Sequence, residues 1–384
     1  MTARQRVVVA GMGDTGVLVA THLGRDLDVV GISTKPALVS GQELGTRLAD
    51  PDMWRRNYLT SLDRFRRLDR TRVVHGTIGS VDAGRREVHV AGADGNDLVL
   101  PYDVLVVASG TTNGFWRQSR VQDLSSIDAE ITDAAARIAA AGSIAIVGGG
   151  PTGVSAAYNL RRRRPTMAVD LYFSQDQPLP GYHPRVRRRL ARELTELGVG
   201  LHSGHRAAVP DDFAADELTT DPIEWSTGQD PSSADVVLWA VGRVVPNSGF
   251  LPPDMLDEQG FVVVDRHLRV PGHPDVFAIG DVAATDPNRS SARNFGYRVL
   301  VHNVKVLTGT GGIGPLGPPR RMKAFSAPEH RWGSIVGVQD DGMVVHQPNG
   351  SSFRVPGWAV QPLLIDVATR VAIYGGVRRA SRRG

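Results

Sequence analysis

Cysteine is absent from the 384-residue chain. A protein without cysteine has no disulfide, no cysteine-bound metal and no thiol nucleophile, and it cannot pass electrons through a redox-active cysteine pair. Long apolar runs are also absent, since no segment approaches the ~20 residues needed to cross a bilayer. The opening MTARQRVVVA lacks the apolar stretch of a secretory signal. The lack of a signal sequence and of a membrane span predicts a cytoplasmic protein, whereas the lack of cysteine says little about compartment.

Lysine is scarce, because only three of the 44 basic residues are lysine and the formal net charge is +4. Arginine is clustered in Arg161–Arg164, in Arg185–Arg189 and in the tail Arg378–Arg383. Such clusters can bind polyanions. No nucleic-acid-binding motif accompanies them, so nucleic acid is not the expected partner.

The first glycine-rich segment follows an apolar strand, Arg6–Ala10. The loop Gly11-Met12-Gly13-Asp14-Thr15-Gly16 comes next, then a helix to about Leu23 and a strand over Asp28–Ile32. In a dinucleotide site the first Gly allows a tight turn, the second admits a pyrophosphate, and the third lets helix pack on strand. The helix N-terminus adds N–H donors. Asp14 is unusual beside a phosphate, and it either points outwards or accepts from a helix N–H.

The same pattern occurs a second time. Ser143–Val147 predicts a strand, Gly148-Gly149-Gly150-Pro151-Thr152-Gly153 a loop, Val154–Arg162 a helix and Ala168–Phe173 a strand. One such loop is weak support for a nucleotide site. Two of them, each between an apolar strand and a helix, predict two dinucleotide-binding folds.

Two further apolar runs end in glycine-containing turns. Tyr102–Ala108 leads to Ser109-Gly110-Thr111, and Val276–Ile279 leads to Gly280-Asp281-Val282-Ala283. A Gly-Asp pair at a strand end allows close approach of a cofactor, and the carboxylate can accept hydrogen bonds from ribityl hydroxyls. The helix expected over about Ser291–Leu307 would then direct its positive end at a ring that becomes anionic on reduction.

These motifs, with Ser109-Gly110 replacing an Ala-Thr-Gly and with IVGGGPTGVSAA, VVLWAVG and FAIGDVA, resemble those of the flavoprotein reductases with two dinucleotide folds. Within that group the chain most resembles type II NADH:quinone oxidoreductases and ferroptosis-suppressor and apoptosis-inducing-factor-like proteins. The resemblance implies FAD in the first fold and NAD(P)H as co-substrate in the second. It implies hydride transfer to the flavin, followed by electron delivery to an acceptor.

The resemblance also implies an α/β architecture of two Rossmann-like domains, one inserted in the other, with a small C-terminal α+β domain. Residues 1–116 and 234–309 would form the FAD domain, 117–233 the NAD(P)H domain and 310–384 the C-terminal domain. In the last of these, alternating residues predict strands at Gly333–Val338 and Gly342–Gln347, joined by a turn at Asp340-Asp341-Gly342.

The resemblance assigns a set of residues to each ligand. The FAD set is Gly11, Gly13, Thr15, Gly16, Ser33, Lys35, Ile78, Ser109, Gly110, Gly280, Asp281 and Val282. The NAD(P)H set is Gly148, Gly150, Pro151, Thr152, Gly153, Ser155, Ser174 and Gly242. On the acceptor side, Phe295 and Tyr297 either line a pocket or pack in the core. The eleven histidines are scattered without metal-ligand spacing, so no metal is expected.

Three positions depart from the family pattern. Ser33 stands where relatives carry an acid for the FAD ribose, and Lys35 nearby either reaches phosphate or is a solvated turn residue. Ser155 replaces a Glu that in relatives lies near nicotinamide and flavin, which argues against turnover at the family's rate. The strand ending at Ser174 has no acid at its tip, so either nicotinamide dinucleotide is acceptable, and nearby arginines favour NADPH slightly.

Without cysteine, electrons must pass directly to the acceptor. A quinone, another aromatic compound, a partner protein and oxygen are the options, and the resemblance favours a quinone-like molecule. The nearest alternative is a ferredoxin or rubredoxin reductase, whose acidic partner would suit the arginine-rich surface. A third is a redox-sensing or nucleic-acid-associated flavoprotein with slow turnover.

The C-terminal segment predicts an amphipathic helix. Trp358 precedes it and arginines follow it, and its apolar residues are Val360, Leu363, Leu364, Val367, Val371 and Tyr374. Such a helix either lies in a membrane interface, bringing the flavin to a lipid quinone at the inner face of the membrane, or packs on its own protein or on a homodimer mate.

Overall fold

Two mainly parallel sheets organise the protein, each around one glycine loop. The computed structural model describes residues 4–40, 44–112, 118–209, 217–242, 244–286, 295–310 and 321–379. Its strands are β1 (Arg6–Ala10), β2 (Asp28–Ser33), β3 (Ala37–Val39), β4 (Leu59–Ser61), β5 (Thr71–Asp82), β6 (Glu87–Gly92), β7 (Asp97–Pro101), β8 (Val104–Val107), β9 (Thr111–Thr112), β10 (Ser143–Val147), β11 (Ala168–Tyr172), β12 (Gly200–His202), β13 (Leu218–Thr219), β14 (Val236–Trp239), β15 (Val245–Pro246), β16 (Val276–Ala278), β17 (Val338–Gln339), β18 (Gly342–His346) and β19 (Ser352–Pro356).

The helices lie mainly between these strands. They are α1 (Asp14–Leu23), α2 (Leu44–Ala49), α3 (Pro51–Tyr58), α4 (Leu124–Ala140), α5 (Pro151–Arg163), α6 (Pro184–Glu196) and α7 (Gly296–Leu307), followed by a C-terminal helix that is α-helical over Gly357–Ala359 and wider over Val360–Ile373. The helix expected from Ser291 begins instead at Gly296, and residues 287–294 lie outside the described part of the chain.

The first sheet has the order β16-β8-β1-β2-β5-β6-β7. Its first five strands are parallel, and β6 and β7 extend it in antiparallel fashion. Val7 and Val9 pack with α1 and α7 on one face, and Val8 packs in a second core on the other. A strand buried on both faces needs a continuous apolar run, which explains the sequence VVVA.

The second sheet has the order β12-β11-β10-β14-β13 and is parallel except for β13. Helices α4, α5 and α6 contribute to the core on one face, and a cluster containing Tyr172, Trp225 and Trp239 covers the other. The chain leaves the first sheet after β8 and re-enters it at β16, so the second sheet is inserted. At the crossing points β9 and β15 pair side by side.

The predicted return of the chain to the FAD domain, at residue 234, is earlier than the return in the structure. Strand β14 pairs in parallel with β10, with Ile144 opposite Val236 and Val147 opposite Trp239. All four residues of β14 are buried, so the run needs a parallel neighbour, and β10 supplies it. The chain therefore crosses back only after Trp239.

The C-terminal strands differ in part from the prediction. Strand β18 was predicted, and Gln339 pairs with Gly342 across the predicted turn. The prediction of a strand over all of Gly333–Val338 was wrong. The Ser334 hydroxyl accepts a hydrogen bond of 3.1 Å from the Gly337 N–H, and this bond folds the stretch into a turn. The partner of β18 on its other side is β19, whose largely exposed residues gave no alternating signal.

The predicted C-terminal helix is present, but most of it is wider than an α-helix. The Tyr374 N–H donates to the Thr369 carbonyl five residues earlier, at 3.0 Å. Val360 and Ile365 face inwards, while four apolar side chains are at least half exposed. We call these the apolar stripe: Trp358, Leu363, Val367 and Val371. No helix in the described ranges is long and apolar enough to span a membrane.

Candidate active site

The first glycine loop forms a cradle at the start of α1. A Cβ added to Gly11, whose φ is 103°, would lie 2.6 Å from the Ala108 carbonyl oxygen, and one added to Gly16 would lie 1.8 Å from that of Gly11. A Cβ added to Gly13 would meet no atom of the described residues within 4 Å. The outer glycines are therefore fixed by packing, and the middle one leaves an opening at a helix N-terminus, where N–H groups can hold an anion.

The second loop repeats this geometry at the start of α5. A Cβ on Gly148, whose φ is 128°, would lie 2.0 Å from the Ala240 carbonyl oxygen, and one on Gly153 would lie 1.9 Å from that of Gly148. A Cβ on Gly150, like one on Gly13, would meet no described atom within 4 Å. Two unrelated stretches of sequence thus build the same anion cradle.

Both cradles open into one cavity of about 1470 Å³. A site for one small ligand commonly has ~300–1,000 Å³, so this cavity has room for two ligands in contact. The predicted residues that line it are Gly11, Gly13, Thr15, Ser33, Lys35, Ile78, Ser109, Gly110, Gly150, Pro151, Thr152, Gly242, Gly280, Asp281, Phe295 and Tyr297. Those outside its walls are Gly16, Gly148, Gly153, Ser155, Ser174 and Val282.

The cavity wall at Ser33 and Lys35 differs from a wall that carries an acid for the FAD ribose. The Ser33 hydroxyl donates to the Lys35 carbonyl at 2.7 Å and accepts from its N–H at 3.2 Å, so it shapes a local turn. The Lys35 ammonium donates to the Gln118 carbonyl at 2.7 Å. Burial lowers the pKa of Lys35 to about 8, and the negative charge of Glu130 opposes that shift. Below about pH 8, the protonated Lys35 is therefore a cation in the cavity wall.

Asp281 reaches the first cradle because β16 ends beside it. A Cβ on Gly280, whose φ is 86°, would lie 3.0 Å from the Thr15 hydroxyl oxygen. The turn after β16 thus approaches α1 closely, and Asp281 lines the cavity next to the glycine loop. This is the position from which a carboxylate can accept hydrogen bonds from sugar hydroxyls.

Asp14 is turned towards β3. Its carboxylate accepts a hydrogen bond of 2.8 Å from the Ser40 hydroxyl. The residue lies in the first turn of α1, where the helix dipole favours negative charge. The Asp14 carboxylate is therefore held to one side of the phosphate cradle.

Ser155 is buried between helices, with 3% of its surface exposed. Gly45 of α2 lies directly on its backbone, and the Asn159 side-chain amide donates to its carbonyl at 2.8 Å. Ser155 therefore belongs to the contact between α2 and α5 and not to the cavity wall. No local pattern around Ser155 predicts this contact, because α2 is distant in the chain.

The tip of β11 carries no acid, as expected. Ser174 is exposed there, and the His205 N–H donates to the Phe173 carbonyl at 3.0 Å. The Tyr172 ring is stacked between those of His202 and Trp225, at centroid distances of 4.4 and 4.8 Å. This aromatic stack was not predicted, because its members come from three separate segments.

The remaining cavity wall faces the C-terminal region. Tyr297 of α7 is buried, and Phe295 is 42% exposed beside Trp332, at a centroid distance of 6.0 Å. Phe295 has a left-handed φ of 59° and carries the Arg298 guanidinium 4.5 Å from its ring centre. Apolar side chains from β18, β19 and the C-terminal helix complete the wall. We call this part the acceptor chamber, lined by Met343, Val345, Val355, Leu364, Ile365, Ile373 and Tyr374.

The cavity side chains are suited to binding and orienting ligands. Within the described ranges no three His, Asp or Glu side chains are grouped as a metal ion would need. The two open cradles fit two diphosphates. Asp281 fits the hydroxyls of a sugar, and Lys35 fits a phosphate or a ribose. Bound FAD supplies the hydride-accepting ring system in such a site.

The sequence has relatives among characterised oxidoreductases. It is 30% identical to oxidoreductase ptaL of Pestalotiopsis fici over 226 residues, which are 57% of this chain and 58% of ptaL. The aligned region thus spans less than two thirds of ptaL. It is 24% identical to ferroptosis suppressor protein 1 of Xenopus tropicalis over 312 residues, 78% of this chain and 80% of the relative.

Solved structures share the fold. The sulfide:quinone oxidoreductase of Aquifex aeolicus superposes with a TM-score of 0.66 at 14% identity, covering 97% of this chain and 91% of that one. NDH2 of Plasmodium falciparum superposes with a TM-score of 0.58 at 16% identity, covering 73% and 64%. At these identities the similarity is one of fold alone.

Residues 5–302, which contain both cradles, match the family described as pyridine nucleotide-disulphide oxidoreductase. The chain lacks the cysteines of that description, but it keeps the two glycine loops and the inserted second sheet. This protein belongs to the pyridine nucleotide-disulphide oxidoreductase family and is an oxidoreductase with FAD and NAD(P)H as its cofactors.

Proposed function

We propose that the protein is an NAD(P)H dehydrogenase that passes hydride to FAD and then electrons to a quinone-like acceptor. The observation that carries this proposal is the single cavity shared by two anion cradles and the acceptor chamber. A nicotinamide ring and a flavin ring must touch for hydride transfer, and a common cavity permits that contact.

Each cradle takes one diphosphate in this proposal. Gly13 and the N-terminus of α1 hold that of FAD, with Asp281 accepting from the ribityl hydroxyls and Lys35 facing the adenosine half. Gly150 and the N-terminus of α5 hold that of NAD(P)H. The exposed Ser174 at the tip of β11 leaves room for a 2′-hydroxyl or a 2′-phosphate. Arg206, exposed on the neighbouring segment, favours NADPH.

The acceptor chamber supports a flat, mainly apolar acceptor. The side chains that define it are Met, Val, Leu and Ile together with Tyr374, and mainly apolar pockets of this kind bind small aromatic molecules. The sulfide:quinone oxidoreductase with the same fold is named for a quinone acceptor.

A ferredoxin-type reductase is the second candidate, because the arginines of α5 and α6 would suit an acidic partner and a ferredoxin reductase of Rhodopseudomonas palustris has this fold. Several of these arginines are already paired. Arg162 faces Asp340 at 3.3 Å, Arg163 faces Asp50 at 2.9 Å, and Arg192 faces Glu196 at 3.6 Å. This pairing leaves less free positive charge for a partner.

Turnover with each acceptor class distinguishes the two candidates. The FAD-loaded protein is given NADPH or NADH with either menadione or a small acidic iron–sulfur protein. Our proposal predicts oxidation of the nicotinamide with menadione at a rate that salt changes little. Turnover that requires the iron–sulfur protein and falls steeply with salt would favour the second candidate.

The apolar stripe suggests where such an enzyme would meet a lipid-soluble acceptor. Trp358 is 76% exposed, and the other three members are each more than half exposed. Exposed aromatic and aliphatic side chains on one face of a helix insert into the membrane interface. We propose that this face binds the membrane surface, so that the acceptor chamber beneath the helix opens towards lipid.

Sedimentation with anionic phosphatidylglycerol vesicles tests this placement. Wild type and Val99→Asp, which changes a comparably exposed valine on β7 (52%), should sediment with the vesicles. Val367→Asp should remain in the supernatant. A wild-type protein that ignores vesicles but dimerises, with Val367→Asp monomeric, would assign the stripe to a homodimer contact instead.

A further inference from the structure

Two phenols and one carboxylate line the cavity near the acceptor chamber. Tyr374 follows the C-terminal helix, Tyr297 belongs to α7, and Asp14 begins α1. The side chains packed around Tyr374 include the apolar Phe65 and Ile373. A hydroxyl beside apolar side chains can influence which ligands bind, because a hydrogen bond is stronger where the local polarity is low.

The Tyr374 ring is fixed by its neighbours. It lies edge-on to Phe65 at a centroid distance of 5.1 Å and an interplanar angle of 66°. Its backbone N–H is bonded to Thr369 at 3.0 Å. Among the described residues, none forms a hydrogen bond with its hydroxyl, although Tyr297 accepts one of 3.2 Å from Arg298. The Tyr374 hydrogen is therefore available to a ligand.

The surroundings keep this hydroxyl protonated. Burial raises the pKa of Tyr374 strongly, and the negative charge of Asp14 and the nearby Tyr297 raise it further. A neutral phenol in a site of low polarity is a hydrogen-bond donor at any physiological pH.

We propose that Tyr374 is a catalytic residue on the acceptor side, whose hydroxyl donates a hydrogen bond to a carbonyl oxygen of the quinone-like acceptor. This rests on the proposed function. Negative charge develops on that oxygen as the acceptor gains electrons, and a donor held in place stabilises it. Tyr374 also selects acceptors that carry a carbonyl over those that accept electrons without one.

The net reaction balances without any change at Tyr374. NAD(P)H, one proton and a quinone give NAD(P)⁺ and a hydroquinone. The two electrons and one hydrogen come from NAD(P)H, and the second proton comes from solvent. The Tyr374 O–H bond stays intact.

Tyr374→Phe tests the proposal, because it removes the hydroxyl and keeps the ring against Phe65. Menadione binding to the oxidised, FAD-loaded protein is measured by quenching of tryptophan fluorescence, since Trp332 lines the same cavity. We expect binding and kcat/KM for menadione to weaken about tenfold, the effect of one lost hydrogen bond. Turnover with ferricyanide, which has no carbonyl, should be unchanged.

Tyr102→Phe is the matched control. Tyr102 is buried, its pKa is raised to about 12, and its hydroxyl has no hydrogen-bond partner among the described residues, but it is not among the cavity-lining residues. It should leave both acceptors unaffected. Equal menadione binding and kcat/KM in wild type and Tyr374→Phe would overturn the proposal, as would an equal loss in Tyr102→Phe. The binding arm needs no hydride transfer, so it decides the role of Tyr374 even if NAD(P)H fails to reduce the flavin, a result that would count against the proposed function alone.

Discussion

Gly45 of α2 lies directly on Ser155 of α5: a Cβ added to Gly45 would be 2.3 Å from the Ser155 carbonyl carbon and 2.4 Å from its hydroxyl oxygen. The two helices come from different nucleotide-binding units and touch at two small residues. The glutamate that the resemblance predicts at this position would have no room here while α2 keeps its place. The departure from the family pattern is thus a packing feature of this chain.

Enlarging either residue should destabilise the protein. We expect Ser155→Glu to lower the free energy of unfolding by about 3 kcal/mol, because it adds bulk and a buried charge. Gly45→Ala should lower it by about 1–3 kcal/mol through overpacking. Urea denaturation of the FAD-free protein measures both. Gly150→Ala, whose added carbon meets no atom within 4 Å in the described ranges, is the control, and an equal loss in that variant would contradict the account.

The glycines of the first loop should separate ligand binding from folding. Gly13→Ala puts a methyl group into open space, so we expect normal unfolding without FAD but greatly weakened FAD binding. Gly16→Ala drives a carbon against the Gly11 carbonyl at 1.8 Å, so it should impair folding itself. Thermal melting and flavin fluorescence titration test the pair. FAD binding by Gly13→Ala with wild-type affinity would show that the diphosphate lies elsewhere.

FAD binding should weaken in alkaline solution because of Lys35. Its pKa of about 8 lies below the usual range for lysine, so the cation facing an anionic cofactor is present below that pH and is lost above it. We expect the dissociation constant for FAD to rise severalfold from pH 7 to pH 9. Lys35→Met should remove this rise, and Lys323→Met, which changes an exposed lysine, should retain it. A flat profile in wild type would exclude this role.

Acid should destabilise the C-terminal region through His346. This side chain is 1% exposed, and its Nδ1 has no hydrogen-bond partner in the part of the chain that the structure describes. Burial lowers its pKa to about 4, with the positive charge of Arg189 contributing. The unfolded chain binds the proton near pH 6.5, so stability is lost as pH falls from 6.5 towards 4. Wild type should lose about 3 kcal/mol more than His346→Gln between pH 7 and pH 4. Urea titrations at the two pH values compare them, and equal losses would be the contrary result.

Local sequence predicted the parts of the molecule that depend on local geometry. The strands flanking Gly11 and Gly148 lie within about a residue of their expected bounds, because a glycine turn between a buried strand and a helix is specified by neighbouring residues. Asp281 and Tyr297 also line the cavity.

What sequence could not predict depends on contacts between distant segments. The burial of Ser155 under α2, the stack of Tyr172 on Trp225, the pairing of β14 with β10 and the position of Tyr374 all join residues far apart in the chain. The wide form of the C-terminal helix was missed because its apolar residues fit an α-helical period almost as well. The number of residues per turn decides which of these apolar side chains face outwards.

The most direct measurement is the anaerobic mixing of FAD-loaded protein with NADPH or NADH while the flavin absorbance band is followed. If the two cradles hold their diphosphates so that nicotinamide meets flavin, the wild-type band bleaches. Gly150→Ala should then keep its FAD and need about tenfold more nicotinamide cofactor for the same rate. A protein that binds FAD and is bleached by neither nucleotide would contradict the account.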